Sequence, residues 1–122
     1  MKVKNCLIFG GSGQIGRFLI RKLTKNNFKV TVVTRNIHQK SFKIKTQGNA
    51  GYIDIVESSI FDEKKIRKLF ENADICINLV GILYESKRGN TFNNIHSIFP
   101  SLLAKLCKEY NLKQFIHLSA LG

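Results

Sequence analysis

The segment Phe9-Gly10-Gly11-Ser12-Gly13-Gln14-Ile15-Gly16-Arg17 constrains this chain more than any other. An apolar run, Cys6-Leu7-Ile8-Phe9, precedes the glycines and a helical pattern follows them. In that setting a glycine-rich turn reads as a dinucleotide site rather than a chance spacing. Glycines at 10, 13 and 16, and again at 11, 13 and 16, satisfy both G-x-x-G-x-x-G and G-x-G-x-x-G. The first permits a tight turn at positive φ. The middle one lets the backbone approach a pyrophosphate with no Cβ in the way, and the last lets the helix pack close to the strand. The new helix would aim its free N–H groups and the positive end of its dipole at the phosphates.

At 122 residues the chain makes one domain at most, spanning 1–122. A chain of this size buries roughly two-thirds of its unfolded surface, enough for a core. No apolar run approaches the roughly 18 residues that span a bilayer. The start, Met1-Lys2-Val3-Lys4-Asn5, leads straight into a strand and not into the long apolar stretch of a signal peptide. The net charge of +12 brings nucleic acid and acidic membrane surfaces into consideration. The lysines are scattered, however, and read as solvated faces; Arg35 to Lys45 is the best local patch. Cys6, Cys76 and Cys107 are odd in number and lack metal spacing, as do the histidines. The cysteines read as small core hydrophobes in a reducing compartment. His117 alternates along a strand pattern and is expected to be packed.

The periodicity predicts strands over about Lys4–Phe9, Lys29–Thr34, Gly51–Val56, Ile75–Leu79 and Gln114–Leu118. It predicts a helix over Gln14–Lys25, with Ile15, Leu19 and Leu23 on one side and Asn26-Asn27 as the stop. Asp62 is an N-cap candidate, with Glu63 in the first turn, for a helix to Phe70. A longer helix ends near Tyr110 and carries Ile95, Phe99, Leu102, Leu103, Leu106 and Tyr110 on one stripe; it is kinked at Pro100 or starts just before it. Strands alternating with helices mean an α/β fold with a parallel sheet and right-handed crossovers. With the glycine turn after strand 1, the expected order is 3-2-1-4-5 in a three-layer sandwich, with a cofactor at the switch point between strands 1 and 4.

An NAD site commonly ends strand 2 in Asp or Glu, which bonds the ribose hydroxyls. Here strand 2 ends Val33-Thr34-Arg35-Asn36, with no carboxylate nearby. A guanidinium can grip an adenosine 2′-phosphate bidentately, so Arg35 favours NADP(H) over NAD(H); the alternative is an arginine that solvates a loop start. Arg17 is placed to assist, although a residue there more often faces solvent. Small apolar residues in Asn78-Leu79-Val80-Gly81 suit close approach to the second ribose, and Gly81 reads equally well as an ordinary turn glycine.

The glycine segment, Thr34-Arg35, Asn78-Leu79-Val80-Gly81-Ile82-Leu83-Tyr84-Glu85 and Phe115-Ile116-His117-Leu118-Ser119-Ala120-Leu121-Gly122 occur in an order and spacing that resemble the atypical or extended short-chain dehydrogenase/reductase superfamily, with its Rossmann fold. The similarity is greatest to the branch containing the accessory NADPH-binding subunit of respiratory complex I and its bacterial relatives. The resemblance covers nearly the whole chain. It implies that Gly10, Gly11, Ser12, Gly13, Gln14, Ile15 and Gly16 hold the pyrophosphate, that Arg35 with Asn36 holds the 2′-phosphate, and that Val80-Gly81 lies along the cofactor. It also implies a cytoplasmic location, peripheral at the inner face of an energy-transducing membrane, with a respiratory complex as partner.

Three departures matter. Catalytic members use Tyr-x-x-x-Lys, in which the lysine lowers the tyrosine pKa; here Tyr52, Tyr84 and Tyr110 are followed four residues later by Val56, Arg88 and Gln114. Ala120 takes the place of the usual Ser or Thr after strand 5. Ser59, with Ile60 beside it, stands where an Asp often contacts adenine. The chain therefore resembles the N-terminal portion of a longer member, ending after strand 5 without the catalytic and substrate portion. One set of side chains from Ile75–Leu79 and Phe115–Leu118 is then expected to be exposed and to invite a protein partner, a complementing C-terminal fragment or self-association. The leading expectation is an NADP(H)-binding module with a structural or vestigial nucleotide role. The alternative is the N-terminal half of an NADP-dependent reductase or epimerase completed by a separate polypeptide. A basic nucleic-acid binder on the same fold is a third reading, unsupported by any aromatic-basic motif or recognition helix.

Overall fold

The structure, a computed structural model, describes residues 3–10, 14–34, 44–45, 47–48, 51–59, 62–80 and 98–118, with Gln14 described by its backbone only. Five strands, β1 (Lys4–Phe9), β2 (Phe28–Thr34), β3 (Ile53–Glu57), β4 (Ile75–Asn78) and β5 (Gln114–His117), form one sheet in the order β3-β2-β1-β4-β5. Every pairing is parallel. The helices are α1 (Gln14–Lys25), α2 (Glu63–Leu69), which tightens into a 3-10 turn at Phe70–Asn72, and α3 (Phe99–Glu109). The expected strand order and three-layer build are thus present.

The central strand is buried on both sides, which is why Cys6-Leu7-Ile8-Phe9 is an unbroken apolar run. Leu7 and Phe9 join Val33 and Cys76 on one face, under Ile66 of α2, Phe70, and Phe99, Leu103 and Leu106 of α3. Phe9 meets the edge of Phe99 at 5.4 Å and lies over Phe70 at 6.3 Å. Cys6 and Ile8 join Val30, Val32, Ile53 and Ile77 on the other face, packed with Ile20 of α1 and with Ile44.

Local chemistry sets the element ends. The Asp62 carboxylate accepts the Lys65 N–H at 3.2 Å and Glu63 occupies the first turn, so α2 starts where its cap dictates. α3 is described over Phe99–Glu109 and carries Pro100 in its first turn, where the missing N–H is no loss; Ile98 before it also takes right-handed helical angles, and the residues that would decide between a kink and a start at Pro100 lie outside the described ones. Ile95 of the predicted stripe lies outside the described residues. Asn27 after α1 and Asn111 after α3 take left-handed φ values of 67° and 57°, a conformation asparagine tolerates at helix ends. β3 starts at Ile53, two residues later than expected, because Gly51 turns at φ 92°. At the amino edge, Asp74 ties three strands together. Its carboxylate and backbone N–H pair with the backbone of Asn5, both at 2.8 Å, and its carbonyl accepts the Lys113 N–H at 3.0 Å.

Two expectations change. Ile77 and Leu79 are buried, not exposed, because α1 already covers the middle of that face. Toward the β5 edge of that face, Ile75, Ile116 and Leu118 remain half-buried. His117 is exposed, because β5 is an edge strand.

All three cysteines are buried thiols. Burial pushes the Cys6 thiol up to about 12. Cys76 is also driven upward, first by its hydrogen bond with Cys107 and then by burial.

Two outcomes follow from this packing. Leu103→Ala, at a fully buried site, lowers the unfolding free energy by about 2–5 kcal/mol in urea titration. Phe18→Ala, at a side chain 55% exposed, changes it by less than about 1 kcal/mol. Separately, a free thiol's ordinary value of 9.0 lies below that of folded Cys6, so the folded state binds this proton more tightly. Its contribution is complete below about pH 9 and declines as pH climbs toward about 12. Cys6→Ala flattens that part of the alkaline stability profile, measured by denaturation across the range.

Candidate dinucleotide site

The carboxyl ends of the strands gather the site. Phe9, the last residue of β1, pairs with Val33 of β2 on one side and with Asn78 of β4 on the other. Gly10 follows at φ 80°, the left-handed region where a side chain is strained, and donates its N–H to the Val33 carbonyl at 3.1 Å. A Cβ at Gly10 would stand 3.1 Å from both the backbone nitrogen and Cγ2 of Val80 and 3.3 Å from the Leu79 carbonyl carbon. The first glycine therefore serves two ends: it makes the turn out of β1, and it lets the end of β4 close against that turn. The Leu79 N–H, bonded to the Phe9 carbonyl at 2.8 Å, continues the ladder to this point.

From Gln14 the chain runs into α1. Gly16 is buried, as the close packing of helix on strand requires, and Ile15 is exposed in the first turn. The first turn of α1 carries no acidic side chain, whereas its last turn holds Lys22 and Lys25. The positive end of this helix dipole is therefore not neutralised by its own residues, in contrast to α2 with Asp62 and Glu63. Such an end accepts an anion. Arg17 does not simply face solvent: it is half-buried, and its Nε is shielded with no hydrogen-bond partner among the described residues.

Of the other predicted site residues, Val80 lies against Gly10. Ser59 is exposed just beyond β3, where its carbonyl accepts the Ser58 hydroxyl at 3.0 Å. Ser58 is itself buried and donates its N–H to the Thr34 carbonyl at 2.9 Å. Gly11, Ser12, Gly13, Arg35, Asn36, Ile60 and Gly81 lie outside the described residues. The structure thus brings Gly10 and Val80 together at the sheet's switch point, where strand order reverses about β1, and α1 starts from Gln14. Sequence reasoning missed Asn78 as an organising residue. It is fully buried, accepts the Val80 N–H at 3.1 Å and contacts Nδ1 of His117 at 3.0 Å. The signal was an amide closing the apolar run Ile75-Cys76-Ile77.

Among the described residues no group of His, Cys, Asp and Glu is arranged to hold a metal, and no helix is long and apolar enough to cross a membrane. The close packing at Gly10 and the start of α1, whose first turn carries no acid, suit the approach of an anionic ligand such as a dinucleotide.

Comparison with known proteins agrees with this geometry. The 40 kDa subunit of the mitochondrial NADH-ubiquinone oxidoreductase of Neurospora crassa is 26% identical over 113 residues, covering 93% of this chain and 30% of that protein. A subunit 9 of the NADH dehydrogenase [ubiquinone] 1 alpha subcomplex from Dictyostelium discoideum is 31% identical over 114 residues, covering 93% of this chain and 31% of its own length. The chain therefore spans about three-tenths of these relatives. Among solved structures, a UDP-glucuronic acid 4-epimerase from Bacillus cereus in complex with NAD superposes with a TM-score of 0.75 at 21% identity, over 93% of this chain and 39% of that one, and shares the fold. The model of the NAD dependent epimerase/dehydratase family matches residues 6–121, and the chain belongs to that family.

Proposed function

We propose that this chain is a dinucleotide-binding module that prefers NADP(H) and holds it in a structural rather than a catalytic role. The observation that carries the reading is Gly10, held at positive φ between β1 and α1 with the end of β4 closed against it. In this reading Gly10 to Gly16 and the start of α1 hold the pyrophosphate. Val80 and Gly81 lie along the second ribose, and Ser59 and Ile60 stand at the adenine end. Arg35 and Asn36 follow Thr34, the last residue of β2, and supply the cation for a 2′-phosphate where an NAD site would carry an acid. The structural role is supported by Ala120 in place of the usual Ser or Thr. The similarity to named subunits of NADH-ubiquinone oxidoreductase supports an accessory place on a respiratory complex, at the inner face of an energy-transducing membrane.

A second reading has one specific observation in its favour. Ile75, Ile116 and Leu118 are half-buried on the face that α1 covers, and Ile15 and Phe18 of α1 are themselves 50% and 55% exposed. That face would accept a complementing C-terminal polypeptide carrying the Tyr-x-x-x-Lys of a reductase or epimerase. A Tyr-x-x-x-Lys in the reading frame just downstream favours this reading, and its absence favours the first.

Titration of the chain with NADPH, NADH and a short DNA duplex at two salt concentrations tests the proposal. The expected result is tighter binding of NADPH than of NADH, with the preference cut about 10- to 100-fold by Arg35→Glu, as loss of charge-assisted hydrogen bonds implies. Duplex binding with a steep salt dependence and no nucleotide binding would overturn it.

A further inference from the structure

We propose that Asn78 is the positioning residue of the nucleotide turn and that His117 holds it in place only while its imidazole is neutral, so that nucleotide affinity falls as His117 takes up a proton. The proposal rests on the dinucleotide reading above. Asn78 is fully buried at the last residue of β4, between Phe9 of β1 and His117 of β5. Its Oδ1 accepts the Val80 N–H at 3.1 Å. A backbone N–H can only donate, so this bond fixes the amide's orientation and turns Nδ2 toward His117, 3.0 Å from Nδ1. Nδ2 can also only donate, so Nδ1 must accept, which requires an imidazole with its proton on Nε2. The relay runs from His117 through Asn78 to Val80, whose nitrogen would lie 3.1 Å from a Cβ on Gly10.

Protonation of Nδ1 sets two donors face to face. Flipping the Asn78 amide satisfies the imidazolium but turns Nδ2 onto the Val80 N–H. In the first orientation the fully buried Asn78 amide loses its acceptor, and in the second the half-buried Val80 N–H loses its own. The end of β4 then loosens from Gly10. His117 stands exposed at the end of β5. Beside it on the same face are Phe115, stacked at 6.4 Å, and Cys76 on β4, whose thiol stays neutral. The described charged residues of α3 are Lys105, Lys108 and Glu109, and Glu109 is held by Arg67 at 2.8 Å. On the approach to β5 the charged residue is Lys113. Histidine is the side chain whose charge ordinarily changes between pH 5 and 8.

The test uses NAD+, which lacks a titrating 2′-phosphate, with NADP+ as a second ligand, and three proteins: the chain itself, His117→Asn and Asn78→Asp. His117→Asn keeps an acceptor near the position of Nδ1 but cannot be protonated. Asn78→Asp presents an acceptor to His117 while still accepting the Val80 N–H. Calorimetric titrations at about pH 8 and about pH 5.5 are paired with NMR of the Val80 amide and the Asn78 side-chain amide. The chain itself is expected to lose about five- to tenfold in affinity at the lower pH, and His117→Asn less than about twofold. Asn78→Asp should lose none or gain. The two amide signals should titrate in the chain and stay fixed in His117→Asn. The same pH dependence in the chain and in His117→Asn, by both readouts, overturns the proposal. If NAD+ and NADP+ bind none of the proteins at either pH, the dinucleotide reading fails; the amide signals then decide the relay, upheld if they titrate only with His117 present and overturned otherwise.

Discussion

The lack of a side chain at Gly10 governs how far the sheet can close at its functional edge. The end of β4 presses on that residue so tightly that a single added carbon would meet the Val80 backbone at 3.1 Å. The same residue must leave β1 at φ 80° and still donate to the carbonyl of Val33. Turn, ladder and interstrand contact therefore share one position, and only glycine satisfies all three without strain. Everything proposed for the site depends on this closure. Gly10 takes the chain out of β1, and Asn78 ties down Val80, which packs against that residue.

Away from that edge, stability is divided between two cores of different make-up. The face under α2 and α3 is aromatic, with Phe9 against both Phe70 and Phe99. The face under α1 is aliphatic, built from Ile and Val around Cys6. Arg67 joins α2 to α3 through Glu109 and also reaches Glu63 within its own helix. Exposed pairs of this kind fix geometry more than they add stability. The high positive charge is otherwise carried by scattered lysines, consistent with solvated faces and not with one concentrated patch.

Much of the fold is legible because each signal is local. A strand buried on both faces is an apolar run, and α1 is an apolar period of 3.6 stopped by asparagine. The strand order follows from alternation and the handedness of crossovers. What escapes the sequence is what depends on distant residues. Ile77 and Leu79 look exposed when only the helices near them in sequence are counted; α1, far earlier in the chain, buries them. His117 alternates like a packed strand residue, yet its strand is an edge. The glycine spacing announces a dinucleotide turn, but nothing local says that Val80 sets the demand on Gly10. Nor does anything local show that Asn78, a polar residue in an apolar run, is satisfied by a histidine 39 positions away.

The central claim is that a dinucleotide binds at the carboxyl edge of the sheet, against the Gly10 turn and the end of β4. Amide chemical-shift mapping of the labelled chain on addition of NADPH addresses it most directly. The account predicts that the largest changes fall on Gly10, Ile15, Gly16 and Val80, while Asn5, Asp74 and Lys113 at the opposite edge stay put. Changes spread over the scattered lysines, or centred on the Asp74 edge, would contradict it.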